Sequence, residues 1–283
     1  MKFTEYLSVA WSTHATDPRK VADEFKQNFN LMESSDDVMS MTRLIVHVCG
    51  EHLGEWTKGI ELLRKLKNNA TINDPSEMNR YMAILNLGNN PYTTIDNFSP
   101  SDQARIYAST ASALANLGGL KNAEKFLKLA SEISTQLSSE DAANKALAMA
   151  GNNIAFSLED KAERDSAEVQ LMILAATLAR KYWEIAGTWK EVERAEYRLS
   201  KTFLKAGLFN ESLMHAKTCL EINSQNHSEP LEVFYGLEAL ALVEKAMINR
   251  PGFNITVEKL KEVYSKLSAE DQAFCKSDFE KAQ

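Results

Sequence analysis

Helix breakers are scarce in this chain: its 283 residues include only 11 glycines and 6 prolines. That excludes collagen-like and low-complexity architectures and favours long helices, which an interior Gly or Pro weakens by about 1 and 3 kcal/mol. Cysteine is scarce too. Cys49, Cys219 and Cys275 are odd in number, far apart and form no CxxC, a pattern that suits buried free thiols in a reducing compartment. Positive charge is in deficit. The net charge of −7 lacks the basic footprint of a nucleic-acid binder.

Long apolar runs are missing as well. No window approaches the roughly 18 uninterrupted apolar residues of a membrane span. The N-terminal MKFTEYLSVAWSTHATD alternates apolar positions with Thr4, Glu5 and Ser8 and so lacks the apolar core of an export signal. A cytoplasmic location with no membrane partner is expected. Asn-x-Ser/Thr triplets such as Asn69–Thr71 and Asn254–Thr256 carry no meaning without export. Catalytic signatures are absent: there is no Gly-x-Ser-x-Gly, no HExxH, no phosphate loop and no Gly-rich nucleotide fingerprint. Neither an enzyme nor a cofactor is expected.

What is present is a repeated spacing. In Arg194–Ile222, small and apolar residues fall at Ser200, Phe203, Gly207, Ser212, Ala216 and Cys219, at steps of three, four, five, four and three. The same steps recur at His47, Gly50, Gly54, Gly59, Leu63 and Leu66, and at Ala111, Leu114, Gly118, Ala123, Leu127 and Ala130. Two antiparallel helices approach closely only where facing residues are small, and a central glycine permits the tight turn. Each copy therefore predicts a helical hairpin.

Around these copies, residues 1–33 predict two helices. Phe3, Leu7, Ala10 and Trp11 mark the first, and Val21, Phe25 and Phe29 the second, which Thr16 or Asp17 caps before Pro18. Asp37–Cys49 follows the cap cluster at residues 34–37, and Ser76–Leu87 forms a further helix. The turn-rich Asn89–Pro100 reads as a loop in place of a second helix. Ser101-Asp102 and Ser138-Ser139 read as further caps. Lys161–Gly187 reads as one helix, and another spans Leu231–Ile248. Pro251-Gly252 then separates it from two short helices, Val257–Leu267 and Glu270–Phe279.

The spacing resembles the tetratricopeptide repeat (TPR), with its small residues, its aromatic after the turn and its two later alanines. The resemblance covers roughly residues 35–225, with strong copies at 43–70, 104–133 and 193–222; the usual proline after the second helix is missing from all three. It implies an all-α, right-handed superhelical array of antiparallel helical hairpins. The expected layout is one domain over 1–283, with capping helices at 1–33, the repeat core at 34–225 and closing helices at 226–283. A generic bundle of α-hairpins meeting the same spacing is the alternative.

Arg194, Arg198, Lys201 and Lys205 lie at steps of four, three and four, hence on one helix face. The TPR resemblance places that face in the concave groove, where it would suit an acidic peptide or a C-terminal carboxylate. Arg194 and Arg198 match the two basic positions of the carboxylate-clamp subset that binds chaperone tails. Ala108, Ser112 and Met149 stand at its earlier Lys and Asn positions, which speaks against a chaperone tail. Tyr197, with Tyr182, Trp183 and Trp189, either packs between hairpins or anchors a peptide beside the stripe. The stripe can also be a solvated face offset by Glu191, Glu193 and Glu196.

His47, Cys49 and His52 fall within six residues, with Glu51 among them. On a helix Cys49 points away from His47, and His47 occupies an inter-helix packing position, so no metal site is expected. The expected function is a non-enzymatic scaffold for a protein or peptide segment of acidic character. The alternative is a peptide-sensing regulator whose superhelix changes on ligand binding. A homo-oligomer built through the terminal helices is a third reading.

Overall fold

A computed structural model describes residues 1–69 and 75–283. The middle and last positions of the Asn69–Thr71 triplet, and the end of the copy at 43–70, lie outside the described residues. The described residues contain 14 α-helices and no strand, and they form two compact units, 1–150 and 151–283.

In the first unit, α1 (Phe3–Thr13) buries Phe3, Tyr6 and Ala10. The Asp17 carboxylate accepts the Lys20 N–H to start α2 (Pro18–Glu24), and a 3-10 turn over Phe25–Leu31 follows. Ser34 and Asp37 exchange hydrogen bonds across the first turn of α3 (Ser35–Val46), satisfying two otherwise orphaned N–H groups. That helix does not continue regularly to Cys49, because His47–His52 forms a π-helical turn. Then come α4 (Trp56–Asn69) and α5 (Pro75–Asn89).

His47 does not hold the packing position against α4 that its spacing suggests, and its ring lies against Trp11 of α1 instead. The close approach to α4 is made by Cys49, whose Cβ would lie 3.2 Å from a Cβ added at Gly59. Trp56 fills the space over Gly88, where a Cβ would meet its ring at 2.5 Å.

Residues 90–99 form the expected loop, pinned by buried Ile95. The next cap is Ser99 rather than Ser101-Asp102: Ser99 accepts the Asp102 N–H, and Pro100 occupies the first turn of α6 (Pro100–Asn116), where its missing N–H costs nothing. With α7 (Leu120–Ser134) it makes the best-formed hairpin, fully burying Ala111, Ala123, Leu127 and Ala130. Gly118 makes the turn with φ +79°, a conformation that costs other L-residues about 1 kcal/mol or more. Ahead of α8 (Ala142–Glu159), the Asp141 carboxylate accepts the Ala143 N–H at 2.8 Å, the capping role expected of Ser138-Ser139.

The second unit corrects two expected boundaries. α9 begins at Ser166 and ends at Ala186, because Asp165 and Glu168 form a capping box that stops the helix from reaching back to Lys161. α10 (Trp189–Lys205) and α11 (Phe209–Gln225) form the hairpin predicted from Arg194–Ile222. Between them Ser200 packs against Ser212, whose hydroxyl donates to the Ser200 carbonyl at 2.8 Å. α12 (Pro230–Ala246) follows. Pro251-Gly252 does not separate helices; Pro251 lies in the first turn of α13 (Arg250–Lys266), and α14 (Ala269–Lys281) closes the chain. The break falls at Ile248, whose φ is +58°.

All three cysteines are free and buried, and burial pushes the Cys49 thiol up to about 12. No described helix is long and apolar enough to cross a membrane.

Candidate functional site

Thr188 and Glu191 form a capping box that fixes the start of α10. Four and three residues per step then place Arg194, Arg198, Lys201 and Lys205 along one flank. Three of these cations already have carboxylate partners within the second unit. Arg198 Nη1 donates to Glu159 Oε2 of α8 at 2.5 Å, and the other oxygen of that carboxylate accepts from Thr202. Lys201 Nζ donates to Glu238 of α12 at 2.6 Å, and Arg194 and Lys190 share Glu232 at 3.4 and 3.0 Å.

Burial separates these pairs in kind. The Glu159 and Glu238 side chains are 7% and 1% exposed, and Arg198 is 17% exposed. Deep pairs of this sort have a large desolvation penalty that their mutual attraction must offset. Burial pushes the Glu238 carboxyl above its ordinary range, and Lys201 offsets only part of the rise. Arg194, by contrast, is 62% exposed, so its contact with Glu232 contributes little. Lys205 is exposed and has no ion-pair partner among the described residues. Arg194 and Lys205 are therefore the charges on this flank that remain available.

Tyr197 turns inward. It packs against Ala216, Ala239 and Val243 and meets the Tyr235 ring edge-on at 5.4 Å. Burial, and then Glu238, raise its hydroxyl well above the usual range. Tyr182 is fully buried, whereas Trp189 is exposed. The aromatic that accompanies the stripe at the surface is Phe156 of α8, which is 56% exposed with the Arg198 guanidinium 4.8 Å above its ring.

Of the three acids expected to offset the stripe at the surface, Glu191 is held by Thr188 at the cap and the other two are buried. Glu193 is buried and accepts from Cys219 and Asn223. Glu196 is buried between Arg180 and His215; burial would raise its carboxyl, but the hydrogen bonds from His215 and Arg180 outweigh it and leave it lowered. Sequence reasoning missed this set of buried glutamates. One signal was available: Glu238 stands in LEVFYGLEALALVEKA, where an acid inside a nearly all-apolar helix must find a partner.

In the first unit the structure brings together three histidines, one of which the spacing did not suggest. His14, just past α1, lies 4.9 Å from His47 and 5.1 Å from His52 between ring centres, and His47 and His52 are 4.7 Å apart. Trp11 packs on both His14 and His47. Cys49 points away into the core, as expected.

No family model matches the chain, and no curated protein matches its sequence. Solved structures do match. BtubC (BKLC) from P. vanneervenii superposes with a TM-score of 0.51 at 13% identity, over 94% of this chain and 92% of that one. A putative kinesin light chain from Podosopora anserina with nearly identical TPR-like repeats gives 0.52 at 13% identity, over 83% and 98%. The apo form of RapI gives 0.50 at 11% identity, over 96% and 79%. At such identities the likeness is one of fold, and it agrees with the hairpins described above. The chain thus has the fold of TPR-like helical-repeat structures.

Proposed function

We propose that this chain is a non-enzymatic, cytoplasmic scaffold that binds a protein or peptide segment through the α10 flank of its second unit. The observation that carries the reading is the exposed Phe156 ring beneath Arg198, beside the available charges of Arg194 and Lys205. Aromatic and arginine side chains dominate binding energy at interfaces, and the surplus positive charge suits an acidic segment. Arg198 and Lys201 hold the flank in shape through Glu159 and Glu238, while Tyr197 supports it from beneath. The contact surface is then Arg194, Lys205 and Phe156.

Panning a random peptide display library against the full chain tests this. Acidic sequences should be enriched, and Arg194→Glu combined with Lys205→Glu should weaken the best of them by about tenfold or more, the scale of one lost charged contact. A Phe156→Ala variant should weaken them further. Failure to enrich any sequence, or equal affinity for the charge-reversed variant, would remove this flank.

The buried pairs also favour a second reading, a peptide-sensing regulator. Glu159–Arg198 and Lys201–Glu238 each join one hairpin of the second unit to the next. A ligand carboxylate that takes over either cation loosens that joint, and such differential contacts are what a ligand needs to shift a conformational equilibrium. A ligand-dependent change in scattering radius distinguishes this from a rigid scaffold.

A further inference from the structure

We propose that His14, His47 and His52 form a three-histidine site for a borderline divalent metal ion of the zinc type, with Glu51 orienting His47. The nitrogens that the three side chains offer all lie within 4.8 Å of one another. His47 Nε2 and His52 Nε2 are 3.1 Å apart. A tetrahedral ion with metal–nitrogen bonds of about 2.05 Å sets its ligands about 3.3 Å apart. One edge of the coordination polyhedron is thus already formed, and the third ring has about 1.5 Å at most to close.

The outward-facing nitrogens are set by what their partners can accept. His14 Nδ1 lies 2.6 Å from the Trp11 carbonyl oxygen. A carbonyl only accepts, so Nδ1 carries the proton and Nε2 keeps its lone pair. His47 Nδ1 lies 3.3 Å from Glu51 Oε2, a carboxylate placed to take a proton from that nitrogen. Donation of the second ring N–H to a carbonyl or carboxylate is how metal-binding histidines are held. His14 has this support in place, and Glu51 stands beside His47 to supply it.

The backbone contributes as well. His47 and His52 are five residues apart, and on a regular α-helix that separation points them in different directions. The π-helical turn over His47–His52, with the Leu53 N–H bonded to the Val48 carbonyl at 3.1 Å, brings residues five apart onto one face. Such turns occur often at functional sites. Three imidazoles favour zinc, copper, nickel or cobalt over magnesium or calcium. Three nitrogen ligands also leave a coordination position for water or for a side chain of a partner. An ion here ties α1 to the turn after α3, closing a long loop, so it should also stabilise the first unit.

The experiment uses the full chain without a histidine tag, stripped with chelator and titrated with zinc chloride by calorimetry. One equivalent should bind. Affinity should fall by roughly 10–100-fold in Glu51→Gln, the usual loss for an orienting partner, and further in His14→Gln with His52→Gln. Because ligand variants can disturb folding, a second arm keeps all three histidines. Cobalt or copper should quench Trp11 fluorescence in the wild type, and Trp11→Phe should remove that quench while zinc affinity persists. An absence of stoichiometric zinc binding would overturn the site. So would undiminished affinity in the double histidine variant, or a wild-type quench that Trp11→Phe leaves wholly unchanged.

Discussion

Replacing Glu159 by alanine should destabilise the protein by about 3–5 kcal/mol, the cost of leaving the partner charge of a buried pair uncompensated. Arg198 would lose the carboxylate at 2.5 Å, and its Nε is already buried without a hydrogen-bond partner. Thr202 would lose its acceptor as well. The Phe156 ring does not replace what is lost, since a partly exposed cation–π contact is worth about 1 kcal/mol. The informative control replaces both partners. With Glu159→Leu and Arg198→Leu together, most of the loss should be recovered, because two apolar side chains leave no orphaned charge. Urea unfolding followed by circular dichroism measures both variants, and the non-additivity gives the coupling. A loss under 1 kcal/mol for Glu159→Ala would mean that water reaches Arg198 and that the pair behaves as a surface contact.

The second large effect concerns a sign. Gly151 lies inside α8, where helix propensity alone says that alanine should stabilise by about 1 kcal/mol. A Cβ there would sit 2.5 Å from the Ala175 carbonyl oxygen and 3.1 Å from the Ala179 nitrogen. Both are backbone atoms of α9, so no rotamer change relieves the clash. Forcing the helices apart costs about 1–3 kcal/mol and more when backbone must move. Gly151→Ala should therefore be destabilised by about 2 kcal/mol net, whereas alanine at an exposed helical position should not. A raised urea midpoint for Gly151→Ala would show that α8 and α9 cross less tightly.

The hairpins were legible because small residues at a fixed spacing have one physical use, the close approach of two helices. Ala111 with Ala123, and Ser200 with Ser212, do in the structure what their spacing implies. Capping was legible where the box is complete, as at Ser34 with Asp37. It was misread where a proline or a later acid decides, as at Ser99-Pro100 and Asp165. The basic stripe was visible as a stripe, but the residues it meets were not. Glu159 and Glu238 stand 39 and 37 residues from Arg198 and Lys201, and helical spacing relates only neighbours on the same element. The same limit hid His14. Nothing local ties it to His47 and His52, and the π-helical turn that aligns those two breaks the regular period on which the reading rested.

The three buried thiols have a consequence for how the chain opens. Cys49 lies in the first unit, Cys219 on α11 and Cys275 on α14. A protonated thiol enclosed by core atoms reacts with an alkylating reagent only after its surroundings part. Each cysteine therefore acts as a clock for the opening of one stretch of the array. The order in which the three are alkylated under native conditions reads out which hairpins come undone together and which hold alone.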